Sequence, residues 1–183
     1  MKKLIFFMMV TANGLYERGP WGIDWHNADT EFNEFAIEQL DLMDTLVFGR
    51  RTYEGMVTYW PTPEAIAEDP IVAGKMNGLS KIVVSRTLER ADWNNARVVK
   101  DANEIGTLKR EPGKDMLLIG SSDLATGLAA LRLIDEYRLM VNPIALGEGT
   151  PVLKGLGADL GLSLLGTRTF KNGNVLLSYA PAR

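Results

Sequence analysis

Three short segments place glycine, hydroxyl and guanidinium groups where an apolar run gives way to a helical pattern. The first is Val47-Phe48-Gly49-Arg50-Arg51-Thr52-Tyr53. A glycine at the end of a strand lets a ligand approach the backbone, and the first turn of the following helix offers free N–H groups and partial positive charge. Arg50 and Arg51 add planar donors suited to phosphate. The second segment, Leu118-Ile119-Gly120-Ser121-Ser122-Asp123, repeats the arrangement with hydroxyls in place of guanidinium groups. The third, Val84-Ser85-Arg86-Thr87, supplies two hydroxyls and one guanidinium. Converging, these ends would hold a dinucleotide's phosphates, because ligands of open α/β sheets bind at the carboxyl ends of the strands. Taken singly, each is also what a plain strand-ending turn looks like. Neither a G-x-G-x-x-G fingerprint after a strand nor a Walker A lysine motif is present.

The elements needed to carry these junctions are legible along the chain. Continuous apolar runs at Lys3 to Thr11, Thr45 to Phe48, Lys81 to Ser85, Asp115 to Ile119 and Glu136 to Val141 predict buried strands, with a short one at Arg97 to Lys100. A helix capped by Asp29 or Thr30 is expected to run to about Met43, with Phe32, Phe35, Ala36 and Leu40 on one face. Helical stretches are expected from Arg50, then on to about Asn77, over Asp101 to Lys109, and over Asp123 to Leu133. Trp21 to Asn27 reads as a loop. Gly161 to Phe170, the Asn172-Gly173 turn and Asn174 to Tyr179 read as a closing hairpin. Strands that alternate with helices and end in a hairpin predict an α/β fold, a mainly parallel sheet with an antiparallel edge, over residues 1–183 as one domain.

Composition removes other classes. The 183 residues include no cysteine and one histidine, His26, which leaves no thiolate nucleophile, no cysteine-based metal site and no histidine-rich one. No metal is expected. A net charge of −3 with dispersed Lys and Arg argues against nucleic acid. Met1 to Val10 carries two lysines and a short apolar run, but lacks the length and the small-residue cleavage site of a signal peptide. No stretch approaches the roughly 20 apolar residues needed to cross a bilayer. A cytoplasmic protein with no membrane partner is the expectation.

Five ordered segments together resemble the dihydrofolate reductase-like superfamily, and within it the reductase domain of bacterial riboflavin biosynthesis. Val10-Thr11-Ala12-Asn13-Gly14-Leu15 is similar to the family's first strand and S-x-D-G turn. Gly49-Arg50-Arg51-Thr52-Tyr53-Glu54 matches G-R-x-T-[YW]-E and is the most specific. Val84-Ser85-Arg86-Thr87 and Ile119-Gly120-Ser121-Ser122 match the adenosine-phosphate strand end and the G-G turn. Ile134-Asp135-Glu136-Tyr137, followed by Asn142 to Pro151, is close to D-E-x and P-x-x-L-G-x-G-x-P. Two departures stand out: Asn13 replaces an aspartate, and Ser121 replaces a second glycine, which predicts an altered or looser turn.

The resemblance implies a three-layer fold, with a central mixed sheet of about eight strands flanked by helices, and NADPH as cofactor. Arg50, Arg51 and Thr52 would bind its phosphates beside Gly49. Ser85 and Arg86 would hold the 2′-phosphate, and Gly120, Ser121 and Ser122 would face the pyrophosphate. It also implies an acid at the start of the first long helix, for which Asp29 and Glu31 are the candidates. Solvated first-turn acids look the same. Asn13, Trp25 and His26 would meet a small heterocycle, either pterin-like or a ribosylaminopyrimidine. The zinc deaminase half of the bifunctional riboflavin enzyme has no counterpart here, so a stand-alone reductase is expected. Two alternatives stay open. One is a non-catalytic nucleotide-binding module that keeps the fold. The other is an interaction protein whose apolar segments near Leu139 to Leu153 pair two chains. A homodimer is expected in any case, as the commonest oligomer.

Overall fold

The structure is a computed structural model that describes residues 1–19 and 21–182. Its centre is β1 (Leu4–Thr11), buried at every position. The alternation of a strand sends Leu4, Phe6, Met8 and Val10 into one core and Ile5, Phe7 and Met9 into the other. An apolar run without polar interruptions is what a strand needs when both of its faces are covered.

After β1 come β2 (Leu15–Glu17), α1 (Thr30–Asp41), β3 (Met43–Gly49), α2 (Arg50–Tyr59), α3 (Pro63–Glu68), α4 (Pro70–Gly78), β4 (Ser80–Val84) and β5 (Ala96–Val99). Then follow α5 (Glu104–Leu108), β6 (Asp115–Ile119), α6 (Ser122–Ala130), β7 (Glu136–Asn142), β8 (Thr150–Pro151), β9 (Leu162–Thr169) and β10 (Val175–Pro181). Eight strands form one sheet in the order β5-β4-β3-β6-β1-β7-β10-β9. The pairs from β5 to β7 are parallel, while β10 is antiparallel to both β7 and β9. One face packs Phe35, Tyr53, Val72 and Met76 of α1, α2 and α4. The other packs Ile105, Ala125 and Leu128 of α5 and α6. This is the three-layer, dihydrofolate reductase-like fold.

Most expected elements appear, with shifted ends. The helical stretch toward Asn77 divides in two, because Pro70 excludes its predecessor from helical geometry; Asp69 instead caps α4 by accepting from Val72 N. The helix expected from Asp123 to Leu133 ends earlier, where Arg132 turns left-handed at φ 54°. The two-stranded β2–β8 sheet has no signal in the sequence, since two or three residues show no periodicity. Of the segment 139–153 expected to pair two chains, residues 139–142 belong to β7, whose backbone is already hydrogen-bonded on both sides by β1 and β10. Among the described residues no helix is long and apolar enough to cross a membrane.

Parallel pairing has one consequence for chemistry. The carboxyl ends of β1, β3, β4, β6 and β7 all lie along one edge of the sheet, so the turns that follow them share that edge.

Candidate functional site

At this edge the turn after β6 locks onto the turn after β3. Ser121 Oγ accepts from Gly49 N at 2.7 Å and donates to Thr52 Oγ1 at 2.8 Å. A Cβ on Gly49 would lie 3.1 Å from that same oxygen, so a side chain there would press on the lock. Gly120 and Ser121 are both left-handed, at φ 58° and 55°. The turn therefore keeps a two-glycine geometry with a serine in the second place, correcting the expectation of a looser one. The left-handed conformation costs serine roughly 1–2 kcal/mol, and the two hydroxyl bonds offset it. The result is two helix N-termini side by side, those of α2 and α6, each with first-turn N–H groups lacking an intrahelical partner.

The neighbouring residues divide into exposed and engaged groups. Gly49 pairs in register with Val84, which brings the turn after β4 alongside. There Arg86 is exposed, while Ser85 is buried and its Oγ accepts from Thr87 N and Leu88 N. Ser122 is also buried, and its Oγ accepts from Leu153 N at 2.8 Å. Arg50 is exposed and pairs with Glu54 at 3.0 Å along its own helix. Arg51 instead reaches across to Glu17.

The remaining candidates gather around the other flank of β1. Asn13 is bolted to the loop after β7: its Nδ2 donates to Leu146 O at 2.8 Å, and its Oδ1 accepts from Leu146 N at 3.2 Å. An aspartate could not make the first of these bonds, which accounts for the asparagine. Trp25 is buried, with Nε1 donating to Gly22 O. His26 meets it edge to face at 4.6 Å, and His26 Nε2 is buried with no partner. Burial lowers the His26 pKa to about 4, against the pull of Asp24, so the ring is neutral at pH 7. Asp29 accepts from Phe32 N as the helix cap, and Glu31 Oε2 accepts from Lys171 N at 2.9 Å. Both candidate acids thus use one oxygen in the fold itself.

The RibD C-terminal domain model matches residues 2–176. The chain belongs to the RibD C-terminal domain family. It is 32% identical over 182 residues to the protein YyaP of Bacillus subtilis (strain 168), covering 97% of this chain and 94% of that one. Among solved structures it is similar to a pyrimidine reductase-like protein from Corynebacterium diphtheriae, with TM-score 0.71, 13% identity, and 100% and 92% of the two chains covered. It is also similar to dihydrofolate reductase from Enterococcus faecalis complexed with NADP(H), with TM-score 0.67, 15% identity, and 99% and 97% covered. These two likenesses place the RibD C-terminal domain chain within the dihydrofolate reductase-like fold.

Two features of this RibD C-terminal domain escape sequence reasoning. Glu17 is a buried carboxylate beside α2, at 7% exposure. Its partners, Arg51 and Thr150, lie 34 and 133 residues away. Asn142 Oδ1 accepts from Asn27 N, while Asn27 O accepts from both Asn172 and Asn174 side chains. This group of asparagines ties the 21–29 loop to β7 and to the last hairpin. The loop's high polarity was visible in the sequence; its partners were not.

Proposed function

We propose that the protein is an NADPH-dependent reductase of a small heterocycle, either pterin-like or a ribosylaminopyrimidine. The observation that carries this reading is the lock between Gly49, Thr52 and Ser121. It sets two helix N-termini beside each other, with Arg50 and Arg86 exposed next to them. Such a donor set fits a phosphate-rich dinucleotide. Gly49, Arg50, Thr52, Gly120 and Ser121 would hold the pyrophosphate, and Arg86 the 2′-phosphate. Arg51, Ser85 and Ser122 would support these groups from behind. The bound nucleotide would supply a hydride from its nicotinamide. Asn13, Trp25 and His26 would shape the pocket for the heterocycle, and Glu31 or Asp29 would deliver the proton.

NADPH at a hundredfold excess over its dissociation constant is expected to raise the melting temperature by about 5–10 °C. Arg50→Ala should weaken NADPH roughly tenfold, the effect of losing one charge-assisted contact. Absence of any shift with millimolar NADPH or NADH would exclude the reading. A second reading, a nucleotide-binding module without turnover, draws on the engagement of both Asp29 and Glu31 in fold hydrogen bonds. It requires NADPH binding with no oxidation of NADPH in the presence of dihydrofolate or a ribosylaminopyrimidine.

We also propose a homodimer built on β9. This strand is one of the two edges of the sheet, the other being β5. It exposes Leu164 and Leu165 to 58% and 59%, and Leu162 lines an open groove of about 540 Å³ with Leu153, Leu156 and Leu160. Long apolar edges are normally blunted by charge or proline, yet residues 160–167 carry neither. A second copy fits, because antiparallel pairing about a two-fold axis can set the uncharged residues 162–167 against themselves, while Arg168, the one charge of β9, is paired with Glu38. Sedimentation should give a dimer for the wild type and a monomer for Leu164→Lys. A monomeric wild type would overturn the assignment.

A further inference from the structure

Glu17 stands out because a buried carboxylate already occupies one of the two arginines next to the helix N-terminus. Arg51 Nη1 and Nη2 donate to Glu17 Oε1 and Oε2 at 3.2 and 3.0 Å, a bidentate pair. Thr150 Oγ1 donates to the same carboxylate at 3.2 Å, and Trp21 N donates at 3.3 Å. The Trp21 ring lies 4.8 Å from the Arg51 guanidinium. It also covers Gly55 of α2 so closely that a Cβ there would come within 2.7 Å of it. Trp21 itself is left-handed, at φ 65°, a conformation that costs a non-glycine residue strain. The guanidinium is thus held between a carboxylate and an indole, although its side chain remains 46% exposed.

This is the arrangement a phosphate would make with the same arginine: two parallel N–H···O⁻ bonds to a planar fork. We propose that Glu17 is a built-in competitor for Arg51, setting the affinity of the site for phosphate-bearing ligands. The proposal rests on the nucleotide reading above. In the free protein Glu17 satisfies Arg51, so α2 presents a single available guanidinium, that of Arg50. A ligand phosphate gains Arg51 only by displacing Glu17 from it. Neutral ligands do not compete for Arg51, so Glu17 discriminates by charge. The three-residue strand β2, held by β8, is the element that places it there.

Glu17→Gln retains the shape while removing the charge; its one amide oxygen can accept from Trp21 N, and its amide nitrogen then faces the Thr150 hydroxyl, which can accept from it. Calorimetric titration of this variant with inorganic pyrophosphate and with NADPH is expected to show binding about fivefold tighter than wild type, the factor corresponding to one ion pair at contact distance in water that the ligand no longer has to displace. In an Arg51→Met background the same substitution should give less than twofold. A lack of gain with a probe that binds would overturn the proposal, as would a gain of equal size without Arg51. If NADPH binds wild type and Glu17→Gln equally, the competitor role fails and the nucleotide site stands. If pyrophosphate shows the gain and NADPH binds to neither, the reverse holds. Failure of both probes to bind any variant removes both. Should Glu17→Gln not fold, Glu17→Asp keeps the charge but shortens its reach to Arg51. It is then expected to tighten pyrophosphate about twofold, and no change would count against the proposal.

Discussion

Replacing Lys81 with methionine is expected to lower stability by about 3–5 kcal/mol, the largest effect of any single substitution considered for this chain. Lys81 lies in β4 and is fully buried. Among the described residues its ammonium has no carboxylate partner. Instead it donates to three backbone carbonyls: Asn77 O at 3.0 Å, Leu79 O at 2.8 Å and Asn94 O at 3.0 Å. It also lies 4.5 Å from the centre of the Trp93 ring, which stacks on Phe48 in the core. The carbonyl of Asn77 belongs to the last turn of α4, where unpaired C=O groups and the negative end of the helix dipole favour a cation. Burial lowers its pKa to about 8, so the proton is still held at pH 7. Methionine fills much of the volume but leaves three buried acceptors without donors, each worth about 1–3 kcal/mol before relaxation. Urea denaturation should show the midpoint falling by about 2 M. A loss under 1 kcal/mol would mean that the carbonyls find other donors, and would remove Lys81 from this role.

The second large effect is acid sensitivity centred on His26. Its folded pKa of about 4 lies below the ordinary value of 6.5 because the ring is buried. Between these two pH values the unfolded chain takes up a proton that the folded chain refuses. Stability from this group is therefore complete above pH 6.5 and is lost as the pH falls toward 4, by about 3 kcal/mol in total. Carboxylates titrate in part of the same window, so the quantity to measure is the difference between wild type and His26→Gln across pH 7 to 4. The variant should lack the histidine component, and its curve should approach that of wild type as the pH drops. Parallel curves would show that His26 is not desolvated in solution. The loss should be felt first in the 21–29 loop. His26 is next to Asn27, whose bonds to Asn142, Asn172 and Asn174 tie that loop to the sheet. Amide exchange of residues 21–29 should therefore accelerate on acidification before that of β1.

Lys81 lies at the amino end of β4, opposite the edge that carries the turns, and His26 lies near the carboxyl end of β7. Lys81 fixes the end of α4 against β4, the strand that leads into Ser85 and Arg86. His26 is in the loop that carries Trp21 and Trp25 toward α2. Neither touches the locked turns at Gly49 and Ser121, so their stability effects should be separable from nucleotide affinity.

How much was legible in the sequence follows from what kind of information each feature needs. The buried strands were readable because burial on both faces demands an unbroken apolar run, and Leu4 to Thr11 is one. Chain order and parallel alternation then placed Gly49, Ser85 and Gly120 at one edge, since all strand ends of a parallel sheet point the same way. The G-R-x-T-[YW]-E segment identified the family and needed no tertiary contact to do so. What tertiary structure alone decided is which polar groups meet. Ser121 reads as an ordinary turn serine, and only its contact with Gly49 and Thr52 explains its left-handed backbone. Asp29 was readable as a helix cap, whereas only the fold shows that Glu31 accepts from Lys171 N. Nothing local gives Glu17 or Lys81 its partners. The first becomes a buried anion because residues 34 and 133 positions away converge on it. The second becomes a buried cation because a helix end and a loop turn their carbonyls toward it. Hydrophobic periodicity is a local property and survives in one dimension, whereas the pairing of buried polar atoms depends on how distant elements close on one another.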